Sequence, residues 1–118
     1  MKTICLDFDG VVNDYQGWRD EGFDVILDEP KAGAREGIAA LRALGYRVVI
    51  HSARSGFEGG IKCIDEWLNK HDIKVDSVEE HKPVALLYVD DRGLYFTDWG
   101  INLTAIIYRA ALAKEANQ

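Results

Sequence analysis

The sequence is short of cysteine, of proline and of clustered basic charge, and each shortage removes a class of protein. Its two cysteines, Cys5 in an apolar run and Cys63 in a predicted helix, have neither metal-ligand spacing nor the pattern of a secreted disulfide framework, which leaves buried free thiols. No apolar run approaches the ~20 residues of a membrane span. Met1-Lys2-Thr3 leads straight into Ile4-Cys5-Leu6, too short for a signal-peptide core and without a small-residue cleavage site, so a cytoplasmic address is expected. Asp and Glu number 20 against 14 Lys and Arg, a net charge of -6, and no basic patch offsets it. Long nucleic acids and anionic membranes are therefore poor partners. A small phosphorylated molecule still fits wherever a metal and one or two cations reverse the local field.

No repeat, linker or low-complexity tract divides the 118 residues, and a chain of this length buries a core without staples, so residues 1–118 are read as one domain. Thr3 to Phe8 is a continuous apolar run closed by acids and Gly10, the pattern of a strand buried on both faces. Residues 10 to 30 follow no period and are read as a long loop, a length usually reserved for function. Ala34, Ile38, Leu41 and Leu44 recur at helical spacing between Pro30 and Gly45, which suit a helix start and a C′ position. Tyr46 to Ile50 reads as a second strand. Ile61, Ile64, Trp67 and Leu68 mark a second helix ending near Lys70-His71. Ile73 to Val78 adds a short strand, Val84 to Val89 another, and residues 103 to 116 a closing helix. This alternation predicts an α/β fold: a three-layer, doubly wound, Rossmann-like domain with a central parallel sheet, helices on both faces and right-handed crossovers.

In such sheets ligands sit beyond the carboxyl ends of the strands, so the residues just past each strand are informative. The first strand runs into Asp7-Phe8-Asp9-Gly10, the second into His51-Ser52-Ala53-Arg54 and the late one into Asp90-Asp91-Arg92. Asp7 and Asp9 are two apart and share a face of an extended chain. With Asp90 and Asp91 beside them, four carboxylates crowd together and repel unless a cation resides there. An all-oxygen set suits Mg²⁺ rather than zinc.

These residues resemble the haloacid dehalogenase (HAD) superfamily of phosphatases. Leu6-Asp7-Phe8-Asp9-Gly10-Val11 is similar to its first motif, Val49-Ile50-His51-Ser52-Ala53-Arg54 to its second, and Tyr88-Val89-Asp90-Asp91-Arg92 to its acidic fourth motif. The resemblance implies a Mg²⁺-dependent phosphomonoester hydrolase in which Asp7 attacks phosphorus to give an aspartyl-phosphate, and Asp9 protonates the leaving oxygen and then activates water. It places Mg²⁺ on Asp7, the Asp9 main-chain carbonyl and the fourth-motif acids, with Asp91 favoured as direct ligand and Asp90 as a water-mediated partner. Ser52 and the amide of Ala53 would hold phosphate oxygens, and Arg54 would grip the phosphate or the rest of the substrate. The third-motif lysine falls to Lys82. A strand spanning all of 84–89 would leave it roughly 20 Å from the acids; it reaches them only if the strand is short and the Pro83 segment runs outside the sheet.

The chain has no room for a cap domain, so residues 11–29 are expected to form only a short flap over an open site. The resemblance to capless members implies either a larger, exposed phosphate ester, such as a polynucleotide end or a phosphoprotein, or a sugar phosphate. The acidic balance disfavours the nucleic-acid end, so a small phosphorylated molecule, a sugar phosphate or nucleotide-like, is expected. The rival readings are a phospho-accepting receiver domain, whose motif order differs, and a metal-binding scaffold without turnover. His51 reads as a structural histidine, His71 and His81 as exposed loop residues, Trp67 as core, Asp14, Arg19 and Asp20 as solvated charges, and the aromatics at 94–99 as cover for a sheet edge. The sequence leaves open whether the chain is a monomer or a homo-oligomer.

Overall fold

The computed structural model describes residues 2–116. Its element order is β1 (Thr3–Leu6), α1 (Ala34–Ala43), β2 (Arg47–His51), a four-residue 3₁₀ turn (Ala53–Gly56), α2 (Gly60–Lys70), β3 (Ser77–Glu79), β4 (Leu87–Val89) and α3 (Trp99–Ala116). The strands form one sheet in the order β3-β2-β1-β4, every neighbouring pair parallel. No helix among the described residues is long and apolar enough to cross a membrane.

The β1 to β2 to β3 steps advance in one direction, so right-handed crossovers place α1 and α2 on the same face. There Ile4, Leu6, Phe8, Val48 and Ile50 from the sheet meet Ile38 of α1 and Ile64, Trp67 and Leu68 of α2 in one buried cluster. Phe8 meets the Trp67 ring edge-on at 5.0 Å, and the indole N–H of Trp67 donates to the Asp28 carbonyl at 3.0 Å. Trp67 is core, as its spacing predicts.

The chain reverses direction between β3 and β4, crossing to the far side of β1. This is the doubly wound reversal, and it sets the switch point between β1 and β4. The connection uses only residues 80–86. It leaves the carboxyl end of β3 and must reach the amino end of β4, where the Leu86 N–H donates to the Thr3 carbonyl at 2.8 Å. So few residues leave no length for a helix, and the second face of the sheet carries this strap instead. The same demand shortens the expected 84–89 strand to Leu87–Val89. The Tyr88 hydroxyl ties the strap down through the Pro83 carbonyl at 2.6 Å.

Other boundaries move for local reasons. α1 starts at Ala34 rather than near Pro30, because Pro30 bridges to Asn13 and the Lys31 N–H donates to the Val12 carbonyl at 2.7 Å. Gly45 takes φ +93 just past α1, the left-handed C′ position its sequence context predicts. His71 is not a free loop residue: it ends α2 with its ring 4.5 Å from that of Trp67. The aromatics at 95–99 do not cover a sheet edge. Tyr95 is 88% exposed and Trp99 66%.

Ile64 is fully buried between α2 and the sheet. Ile64→Ala is expected to lower unfolding free energy in urea by about 2–5 kcal/mol with an unchanged m-value. A loss below about 1 kcal/mol would mean that α2 is not part of the cooperative core.

Candidate active site

Asp7 comes directly after β1, and its N–H still donates to the Val89 carbonyl at 2.9 Å, so the strand pairing aims its side chain into the switch point. One Asp7 oxygen accepts from the Phe8 N–H at 2.8 Å. Burial pushes the Asp7 carboxyl up to about 6; the Phe8 N–H opposes this, and repulsion from Asp90, Asp91 and Asp9 adds to it. Asp7, Asp90 and Asp91 each present a carboxylate oxygen, all within 4.8 Å of one another. One oxygen of Asp90 accepts the Arg92 and Gly93 N–H groups at 2.6 and 3.1 Å, which fixes this acid in its turn. Asp91 lies over Gly10: a Cβ at Gly10 would fall 2.1 Å from Asp91 Oδ2, and Gly10 has φ +89. Glycine is required there for both backbone and space. Three oxygens from three acids, held this close with raised proton affinity at the half-buried Asp7, could hold a hard divalent cation.

A pocket of about 300 Å³ opens beside Asp7, lined also by Cys5, His51, Ser52, Ala53, Lys82, Tyr88, Val89 and Asp90. Five of the residues singled out in the sequence, Asp7, Ser52, Ala53, Lys82 and Asp90, therefore line one cavity. Lys82 gets there because β4 is short and the strap begins at the carboxyl end of β3. Its Nζ sits 4.3 Å from the centroid of the Tyr88 ring. Ser52 is buried and heads the 3₁₀ turn, its Oγ accepting the Arg54 N–H at 3.2 Å while its own N–H donates to Ser55 Oγ at 3.3 Å. His51 lines the pocket too, and burial, with Lys82 and His81 nearby, lowers its imidazole below the ordinary range.

Arg54 occupies a different place from the one expected. It is 3% exposed, and its guanidinium is committed to Asp9, Nε to Oδ2 at 2.8 Å and Nη2 to Oδ1 at 3.3 Å. Its Nη1 donates to the Val25 and Phe23 carbonyls of the flap at 2.8 and 3.4 Å. Arg54 thus binds the second aspartate and the flap rather than facing the pocket. Asn13, fully buried, donates from Nδ2 to Asp9 Oδ1 at 2.9 Å. Neither Asn13 nor the Arg54–Asp9 pair stood out in the sequence. The one signal was a polar residue after Val11-Val12 in a tight turn, four positions past Asp9. The flap, residues 11–29, is closed at its base by Asp14 N–H to the Glu29 carbonyl at 2.9 Å. At its tip Phe23 stacks on Phe57 at 4.0 Å. Arg19 is not merely solvated: it pairs with Asp28, whose carboxyl it holds below the usual range.

No protein-family model and no curated protein matches the chain. Two solved structures do. A crystal structure from Vibrio cholerae is 27% identical, with a TM-score of 0.54, over 92% of this chain and 96% of that one. A conserved protein from Bacteroides thetaiotaomicron is 27% identical, with a TM-score of 0.59, over 98% of both chains. Neither is named for a function. They support the α/β architecture across nearly the whole length of this chain.

Two outcomes are expected. Gly10→Ala should displace Asp91, so that whatever Mg²⁺ affinity calorimetry finds for the wild type falls at least tenfold while the circular dichroism is kept; an unchanged affinity would remove Asp91 from the cluster. The second concerns Asp7, whose folded value of about 6 lies above the ordinary 3.8. A raised carboxyl contributes stability when protonated, and loses it as pH rises from about 4 through 6. Without divalent cations, Asp7→Asn should therefore be more stable than wild type at neutral pH, by on the order of 1–2 kcal/mol after allowing for solvent screening. The difference should vanish near pH 4, and a pH-independent difference would refute the assignment.

Proposed function

We propose that this chain is a Mg²⁺-dependent phosphomonoester hydrolase of the HAD type, acting on a small phosphorylated metabolite such as a sugar phosphate or nucleotide-like ester. The observation that carries the reading is the convergence of Asp7, Ser52, Ala53, Lys82 and Asp90 on one pocket at the sheet's switch point. That convergence joins a candidate nucleophile, hydroxyl and cationic donors for phosphate and part of the acidic cluster.

In this reading Ser52, the Ala53 amide and Lys82 hold the phosphate oxygens. An Asp7 carboxyl titrating near 6 is mostly ionised at neutral pH, as a nucleophile requires. Its oxygen attacks phosphorus, the P–O bond to the leaving group breaks, and Asp9 delivers a proton to the departing oxygen. Water, deprotonated by Asp9, then attacks the aspartyl-phosphate and releases phosphate and free Asp7. Mg²⁺ held by Asp7, Asp90, Asp91 and the Asp9 main-chain carbonyl would supply charge neutralisation between carboxylate and phosphate. In the resting site Arg54 and Asn13 hold Asp9 as a carboxylate, the form that activates water. To deliver a proton Asp9 must first leave the Arg54 pair, so both are positioning residues for it.

Phosphate release from p-nitrophenyl phosphate and a panel of phosphorylated metabolites, with Mg²⁺ or chelator, tests the reading. Turnover is expected only with Mg²⁺, and Asp7→Asn should reduce it at least ~10³-fold. A stable phospho-protein after acetyl phosphate without turnover would transfer the reading to a receiver domain. Arg54→Lys should slow alkyl phosphates more than p-nitrophenyl phosphate, because a good leaving group needs little proton donation, and general acid catalysis is worth ~10²–10⁴. An equal loss on both would make Arg54 structural only.

A further inference from the structure

α3 rests on the chain along one face only, where Ile106, Arg109 and Ala110 lie over Asp91, Arg92 and Leu94. Trp99, Leu103 and Ile107 form one exposed apolar stripe, at 66%, 50% and 62%, and Ile101, Tyr108 and Leu112 another, at 70%, 64% and 46%. A helix apolar on opposite flanks is normally buried. Its direction is set locally: Asn102, 7% exposed, accepts the Thr97 and Asp98 N–H groups at 2.7 and 3.0 Å, Asp98 caps the Ile101 N–H at 2.8 Å, and Arg109 donates to the Gly93 carbonyl at 2.9 Å. The helix projects, and the Cα radius of gyration is 15.3 Å against about 13.5 Å for a compact chain of this length.

The same chain carries a bed without a helix. A groove of about 340 Å³ runs along α1 on the helix-bearing face, lined by Leu6, Val12, Ala34, Gly37, Ile38 and Leu41. Its α1 wall continues the stripe to Leu44, 74% exposed, and Leu87 of the edge strand, 54% exposed, lies on the same sheet face. A Cβ built on Gly37 meets nothing within 4 Å, so another backbone has room to approach there.

We propose that a second copy of the chain fills this groove: the Trp99–Leu103–Ile107 stripe of each α3 lies along α1 of the other copy, making a reciprocal dimer. Both halves of the contact belong to one sequence, which is what an isologous interface requires. The area suffices. The groove floor of Leu6, Val12 and Ile38 is already covered, so the area comes from Trp99, Leu103 and Ile107 on the stripe and Leu44 and Leu87 on the groove's rim. At on the order of 100 Å² each these hide about 500 Å² per copy, and the pair reaches the ~1,000 Å² that a specific interface must clear. Exposed apolar surface of this extent on a lone chain marks an interaction site.

Sedimentation equilibrium of the full chain tests this, independently of catalysis. The expected mass is twice the 13.2 kDa of one chain. Gly37→Trp, which fills the groove from an exposed position, and Ile107→Glu, on the stripe, should each give monomer at concentrations where wild type is fully dimeric, with unchanged circular dichroism. Leu103→Glu, one turn earlier on the same stripe, is the independent second variant of the helix. A monomeric wild-type chain, as when α3 closes onto its own groove, or a dimer that survives either Gly37→Trp or the helix variants, overturns the proposal.

Discussion

Burying the Arg54 guanidinium sets what its surroundings must provide. A charge at 3% exposure needs an opposite charge and partners for its N–H groups, or the fold loses several kcal/mol. Asp9 supplies the charge, and the Phe23 and Val25 carbonyls supply the remaining acceptors. One side chain thereby joins the turn after β1, the turn after β2 and the flap. The next helix is fitted to it as well: a Cβ on Gly60 would lie 1.7 Å from the Arg54 carbonyl oxygen, so only glycine lets α2 begin that close. The Phe23–Phe57 stack closes the same joint from outside.

The rest of the site is a consequence of where the sheet reverses. Stepping from β3 to β4 across β2 and β1 puts the ends of β1 and β4 side by side, and their acids cannot avoid one another. Desolvation and that repulsion raise Asp7. The same step forces residues 80–86 back down the sheet, and this delivers Lys82 to the pocket. The cavity therefore has negative charge on one wall and a cation on the other, the arrangement on which the proposed metal-bridged anion rests. The connection that is too short for a helix is also what leaves the second face thinly covered.

Much of this was legible in the chain itself. The β-branched runs, the helical stripes of α1 and α2, and Gly45 at a helix end are local signals, and the order of elements restricts an alternating chain to a parallel sheet with right-handed crossovers. Asp7, Asp9, Ser52 and the Asp90-Asp91 pair were readable because each comes just after a strand, where side chains point off the sheet edge in every such fold. Periodicity did not reveal that β4 is only three residues long. Val84 and Leu86 have strand composition, yet they serve the descent of the strap.

Thus the sequence alone determined the α/β class, the strand ends and the chemical types gathered there, since these depend on residues close together in the chain. Only the tertiary structure decided that Arg54 faces Asp9 instead of the pocket, that Asn13 supports the same acid, that Lys82 reaches the site and that α3 stands clear of the sheet. Each of those turns on a distance between segments far apart in sequence. Such distances are set by which strands neighbour one another and how much chain is left to connect them, and no local pattern of side chains encodes that length balance.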